Sequence, residues 1–128
     1  YDDVFKAVYD VDKSVESYMT IKLILQPLVE NAIYHGFREN DLYGTITIRA
    51  KDADDYIKLQ VEDDGIGMKK EKLMELRESL KNENIHYEHI GLRNTYKRLL
   101  LTYTDKVIFQ IQSKYGQGTV VTVKFPVS

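Results

Sequence analysis

The chain has 128 residues, a net charge of −2 and no cysteine. That is enough chain for one domain whose core needs no disulfides; a cysteine-based redox or zinc site is excluded, and the composition suits a reducing compartment. Acids and bases are interspersed, unlike a polybasic nucleic-acid surface, and no apolar run reaches the roughly 18 residues of a membrane span. No signal-peptide pattern opens the chain. Its first residue, Tyr1, is not a methionine, so a piece of a longer protein is expected.

Val4–Val11 mixes β-branched and aromatic residues and reads as a strand. Lys13–Thr20 is a polar connector. Leu23–Phe37, LILQPLVENAIYHGF, has helical period. Ile24, Leu25, Leu28, Val29, Ala32, Ile33 and Gly36 fall on one apolar arc that can dock on a sheet. Asn31 and His35, four apart, stack at one edge of that arc. There a ligand can rest against a core and still meet polar groups. Pro27 removes a backbone donor and is tolerated best in a first turn, so the helix starts near Lys22 or near Gln26. Gly36 can end it, and Arg38–Gly44 follows as a polar loop.

Thr45–Ala50 and Tyr56–Val61 alternate, with Ile46, Ile48, Ile57, Leu59 and Val61 inward. The polar turn Asp52–Asp55 joins them into an antiparallel hairpin. The second strand runs straight into Glu62–Met68, EDDGIGM. Lys69–His89 is rich in Lys, Glu and Asn, and Leu73, Leu76 and Leu80 are its only sustained apolar pattern. This predicts one short amphipathic helix and then a mobile polar loop, Lys81–His89; a long polar connector in a compact domain suits a lid. Ile90–Tyr103 regains helical period. Lys106–Lys114 and Thr119–Phe125 are two more strands around the turn Tyr115–Gly118. The order β-α-β-β-lid-α-β-β predicts an α+β fold: a two-layer sandwich with a mixed, mostly antiparallel sheet and its helices on one face.

Three glycine-bearing stretches can carry chemistry. Asp63–Gly67, DDGIG, ends a strand. Its glycines permit close approach, and a carboxylate there can accept a hydrogen bond from an exocyclic amine such as that of adenine. The same letters also suit a plain acidic turn. Gly91 opens a helix, where backbone N–H groups and the helix dipole favour phosphate or serve a simple cap. Gly116–Thr119, GQGT, enters the last strand and by itself reads as a hairpin turn.

Taken in order, these pieces resemble the Bergerat ATP-binding fold of the GHKL superfamily, shared by gyrase, Hsp90, histidine kinases and MutL. Within it, QPLVENAIYHGF, VEDDGIGM, HIGLRNTYKRL and YGQGTVVTVKFP look like LytS-type sensor histidine kinases, over nearly all the chain from Leu23 to Pro126. The resemblance implies that residues 1–128 are a single catalytic and ATP-binding domain with an ATP lid at about 69–89. It implies that Asn31 holds Mg²⁺ against the ATP phosphates, an amide oxygen being a suitable hard ligand. Asp63 would accept from the adenine amine, and Gly65 and Gly67 would shape the adenine pocket. Gly91 and Leu92 would lie at the lid's exit, by the phosphates, and Thr119 would support adenine, often through water. His35, one turn past Asn31, either nears the phosphates or packs at the helix edge.

Departures from the family pattern also carry information. A lysine common three residues after the Mg²⁺ asparagine is Tyr34 here, which leaves the phosphate charge to His35, Arg38, Arg93 or a lid lysine. His89 stands where the lid-exit motif has its first glycine, and Arg93 where commoner kinases have another. The water-activating glutamate of gyrase-type ATPases, four residues before the asparagine, is replaced by Pro27, which cannot act as a base. Helical phase aims Glu30 elsewhere. The expected function is a histidine-kinase catalytic domain that binds Mg·ATP and donates the γ-phosphoryl to a histidine on a separate dimerisation domain. None of His35, His86 and His89 stands in the family's phosphoacceptor setting. The resemblance further implies a downstream response regulator, a homodimeric full-length protein, no nucleic-acid partner, and a cytoplasmic position in a membrane-anchored sensor. The alternatives are a gyrase- or MutL-like ATP-driven switch and an anti-sigma-type serine kinase. Pro27 argues against the first, and the QPLVENA and GLRN wording against the second.

Overall fold

The computed structural model describes residues 5–15, 19–37, 43–53, 55–81 and 90–126. Five strands, β1 (Phe5–Val11), β2 (Gly44–Asp52), β3 (Tyr56–Asp63), β4 (Ile108–Lys114) and β5 (Gly118–Pro126), form one sheet in the order β1-β2-β3-β5-β4. β1 and β2 are parallel, because the chain between them crosses over through a helix. The other pairs are antiparallel. Among the described residues three α-helices, α1 (Met19–Asn31), α2 (Lys70–Lys81) and α3 (Ile90–Tyr103), complete the α+β sandwich that the element order predicts.

Strand register organises the core into rows. Ile48, Val61, Val121 and Ile111 lie side by side across β2, β3, β5 and β4, and Ala50, Leu59, Val123 and Phe109 form the next row. These rows pack with Ile24 and Leu28 of α1, Leu73, Leu76 and Leu80 of α2, and Leu92 and Leu99 of α3. The opposite face is polar. It carries the Arg49–Glu62 ion pair at 2.8 Å and a hydrogen bond from Gln60 to Thr122 at 3.0 Å; an ion pair this exposed adds little stability. On the other side of the Ile48 row, the next set of neighbours on the core face is Ile46, Asp63, Thr119 and Ser113. The core therefore turns polar at one end of the sheet, and the functional site lies there.

Several local expectations change. The first helix begins at Met19, earlier than Lys22 or Gln26, and Pro27 sits inside it. The turn that Pro27 interrupts includes the exposed Leu23, so water can meet the freed carbonyl. Gly36 does not end the helix as a cap. Ala32–Phe37 winds on as a π-helix, with Ala32, Ile33, Gly36 and Phe37 buried. β3 runs on to Asp63, and β4 starts at Ile108 because Thr104–Lys106 forms a 3₁₀ turn first. The helix within 69–89 is firmly anchored. Leu73, Leu76 and Leu80 are buried, and the Arg77 guanidinium donates twice to the Ile111 carbonyl, at 3.1 and 2.6 Å. The loop expected over Lys81–His89 lies outside the described residues from 82 onward, as do Arg38, His86 and His89. Among the described residues, no helix is long and apolar enough to cross a membrane.

Candidate functional site

A cavity of about 220 Å³ opens where the polar row ends, between the π turn, the β3–α2 connection and the β4–β5 turn. Asn31, the last residue of α1, and His35 and Gly36 of the π turn contribute to its wall. A π turn closes on the fifth residue instead of the fourth. It therefore brings Gly36 round beneath Asn31, where an α-helix would carry it to the flank. The His35 ring stands edge-on to Tyr34, with centroids 4.9 Å apart.

Asp63 closes the deep end and is only 5% exposed. Gly65 N–H donates to its Oδ1 at 2.9 Å, and Thr119 N–H donates to the same carboxylate. Burial pushes its pKa up to about 6, the two backbone donors oppose the rise, and the neighbouring charges of Asp64 and Glu62 add to it. The group is therefore mostly ionised at pH 7. A carboxylate has about four lone-pair sites, so this one can accept further bonds from a ligand. Asp64 is directed differently: it accepts from Thr45 N–H at 2.7 Å and ties the connection to β2.

The connection after Asp63 is stapled on both sides. Ile66 N–H donates to Gly36 O at 3.1 Å, and Gly116 N–H donates to Ile66 O. Met68 N–H donates to Ser113 Oγ at 2.8 Å. Gly67 has φ +70°, and a β-carbon there would run into the Lys114 carbonyl, so the position requires glycine. Beyond it, Lys69 and Lys72 join the cavity wall, the Lys69 ammonium lying 5.0 Å from the Tyr115 ring centroid.

Of the residues singled out in the sequence, Asn31, His35, Asp63, Gly67 and Thr119 line this one cavity. Gly65 lies behind it, packed against the Gly36 carbonyl. Gly91 and Leu92 do not line it. Leu92 is buried in the core, and a β-carbon on Gly91 would make only ordinary contact with Pro27, at 3.9 Å. The structure adds Gly36, Ile66, Met68, Lys69, Lys72 and Tyr115 to the wall. The lysines are legible as lid lysines able to meet phosphate; Gly36 is legible only as a residue of the apolar arc and a helix end, not as part of a site.

On the helix side of the cavity the Asn31 amide offers a metal one hard oxygen donor, while the Asp63 carboxylate is engaged by backbone N–H groups. Among the described residues no three His, Cys, Asp or Glu side chains gather to hold an ion. This donor set fits Mg²⁺ that arrives with phosphates, since that ion keeps most of its waters and takes few protein ligands.

A buried acceptor at a strand end, a glycine-stapled connection beside it and an amide-bearing helix opposite define an ATP-binding domain of the GHKL class. Residues 16–128 match the histidine kinase-, DNA gyrase B-, and HSP90-like ATPase family, HATPase_c, and the chain belongs to it. Over all 128 residues it is 34% identical to the sensor protein kinase HptS of Staphylococcus aureus, of which it spans 24%. Its fold matches the histidine kinase domain of the blue-light activated kinase of Erythrobacter litoralis, with a TM-score of 0.68 at 21% identity over 97% of this chain and 52% of that one. It also matches the catalytic domain of histidine kinase ThkA in a nucleotide-free form, with a TM-score of 0.69 at 19% identity over 95% of this chain and 78% of that one. The chain spans about a quarter of the length of the curated relatives it matches.

Proposed function

We propose that this domain binds Mg·ATP in the cavity under the π turn and donates the γ-phosphoryl to a histidine on a separate dimerisation domain of a LytS-like sensor kinase. The observation that carries the reading is the buried Asp63 carboxylate, fixed by Gly65 and Thr119 N–H groups at the closed end of a cavity whose wall also holds Asn31. Asp63 accepts from the adenine amine, and Asn31 holds Mg²⁺ against the phosphates. Lys69, Lys72 and His35 meet phosphate charge in place of the lysine that Tyr34 replaces. The segment 69–89 forms the ATP lid, with α2 as its anchored part, and Gly91 lies at the lid's exit.

Transfer to an outside nucleophile is favoured over hydrolysis. Among the described residues lining the cavity, Asp63 is the only acid, and it is engaged at the base end. Pro27 stands where a water-activating carboxylate would be needed. In the whole protein the phosphoryl group would pass on to a response regulator, the kinase would act as a dimer, and this domain would sit on the cytoplasmic side of a membrane-anchored sensor. The test is titration of the domain with a non-hydrolysable ATP analogue and its GTP counterpart, with and without Mg²⁺. ATP analogue binding that is selective over GTP and strengthened by Mg²⁺ is expected; equal affinity for both nucleotides overturns the reading. Incubation with radiolabelled ATP should leave the isolated domain unlabelled, whereas acid-labile label on it would place the acceptor within this chain.

A further inference from the structure

The register aligns Asp63 on β3 with Thr119 on β5, and Thr119 with Ser113 on β4. Ser113 is absent from the cavity wall, yet its hydroxyl makes three contacts. Met68 N–H donates to Ser113 Oγ at 2.8 Å, Ser113 Oγ lies 3.0 Å from the Gly118 carbonyl, and it lies 2.8 Å from Thr119 Oγ1.

A serine hydroxyl has one hydrogen and two lone pairs. The Gly118 carbonyl can only accept, so the Ser113 hydrogen goes to it. One Ser113 lone pair takes the Met68 N–H. The other must then take the Thr119 hydrogen, and this is the one assignment that satisfies all three contacts. The Thr119 hydroxyl thus spends its hydrogen on Ser113 and keeps only lone pairs for the cavity. Asp63, its cross-strand neighbour, is also an acceptor there.

We infer that Ser113 is a positioning residue that locks the Thr119 hydroxyl as an acceptor, so that the closed end of the cavity presents two acceptors and selects a 6-amino purine over a 6-oxo purine. The inference rests on the proposed nucleotide reading and deepens it. An exocyclic amine brings two N–H donors, which Asp63 can receive directly and Thr119 directly or through one water. A 6-oxo group brings only lone pairs and meets two acceptors.

The experiment compares ATP with inosine triphosphate, which at this edge carries an oxo group for the amine and an N1–H for the bare N1; that single N–H can serve only one of the two acceptors, and the oxo group still meets the other. Dissociation constants are measured for the parent domain, Ser113→Ala, Thr119→Val and the double variant. The parent should prefer ATP. In Ser113→Ala the Thr119 hydroxyl can turn its hydrogen into the cavity and donate to the oxo group, so the preference should fall by about tenfold. In the Thr119→Val background, Ser113→Ala should leave the preference unchanged, because no hydroxyl remains to be steered. An unchanged preference in Ser113→Ala, or an equal fall in both backgrounds, overturns the role of Ser113 and leaves nucleotide binding standing. A parent domain indifferent to the two nucleotides overturns the nucleotide reading and this inference with it. If Ser113→Ala does not fold, Thr119→Val alone decides: it should lose a comparable share of the preference, and no loss refutes the two-acceptor arrangement.

Discussion

Gly36 faces the carboxylate of Asp63 so closely that a β-carbon at residue 36 would lie 2.9 Å from Asp63 Oδ1. Two backbone donors hold that carboxylate, so it cannot simply swing aside. Gly36→Ala should therefore displace it and weaken ATP binding by about tenfold, the worth of one charge-assisted hydrogen bond. Stability should change little, because alanine gains about 0.5–1 kcal/mol over glycine in a helical position, which offsets part of the strain. Calorimetric titration beside thermal melting checks both halves; unaltered affinity would show that the carboxylate position is irrelevant to the ligand.

Asp63 should also set the pH response. Its folded-state pKa is raised from 3.8 to about 6. Below 3.8 the group is neutral in both folded and unfolded chains and contributes nothing. Between 3.8 and 6 the folded chain holds the proton more tightly, so stability falls as pH rises through that window. Above 6 the penalty is complete, on the order of 3 kcal/mol. Asp63→Asn, neutral throughout, should melt no lower than the parent at pH 7 and lose that advantage toward pH 4, while its ATP affinity drops at least tenfold. Parent affinity for ATP should decline as pH falls through 6, where the acceptor becomes protonated. Melting curves of both proteins across this range check the sign, and a parent that loses ground to Asp63→Asn on acidification contradicts it.

How far the sequence discloses this arrangement depends on which physical pattern each residue obeys. Strand alternation and the periodicity of Ile90–Tyr103 report burial directly, so β2, β3, β5 and α3 are legible. Asp63 is legible because a carboxylate at the end of an apolar strand has a restricted set of uses. The π turn is not, since a switch from fourth- to fifth-residue closure at Ala32 demands no particular residue type. Gly36, near a helix end, reads as a cap; only the tertiary fold presses it against Asp63. Ser113 looks like any strand serine until the β4–β5–β3 register lines it up with Thr119 and Asp63. The anchoring of α2 is muted in its sequence because three leucines and an arginine bound to a strand carbonyl do the work among many charges.

Asn31→Ala should separate metal from base. Mg²⁺ should no longer strengthen ATP binding, and phosphoryl transfer by a full-length kinase carrying the change should be lost. ADP without metal should bind about as before, because the contacts of the base lie at the other end of the cavity. Titrations of ATP and ADP with and without Mg²⁺ make the comparison. Preserved Mg²⁺ dependence in Asn31→Ala would reduce Asn31 to a structural edge residue.

Lys69 and Lys72 should act on phosphate charge and leave recognition of the base unchanged. Both line the cavity and both are exposed. Near a protein surface, unit charges about 4 Å apart interact by ~1–4 kcal/mol before screening, and exposed pairs retain about 0.2–1 kcal/mol. Removing two such cations should then cost about two- to thirtyfold in affinity for a triphosphate. Glutamine is the better replacement, because it keeps most of the side-chain stem while removing the charge. The doubly substituted Lys69→Gln, Lys72→Gln domain should bind ATP most weakly relative to the parent, ADP less so, and adenosine unchanged. The difference should shrink as salt is raised and the charges are screened. An Asp63 variant, in contrast, should weaken ATP, ADP and adenosine alike, so the two sets of measurements assign opposite ends of the cavity to opposite ends of the nucleotide. Equal losses for adenosine and ATP in the lysine variant would place these lysines at the base, or in the fold, and would return the phosphate charge to His35 or Arg93.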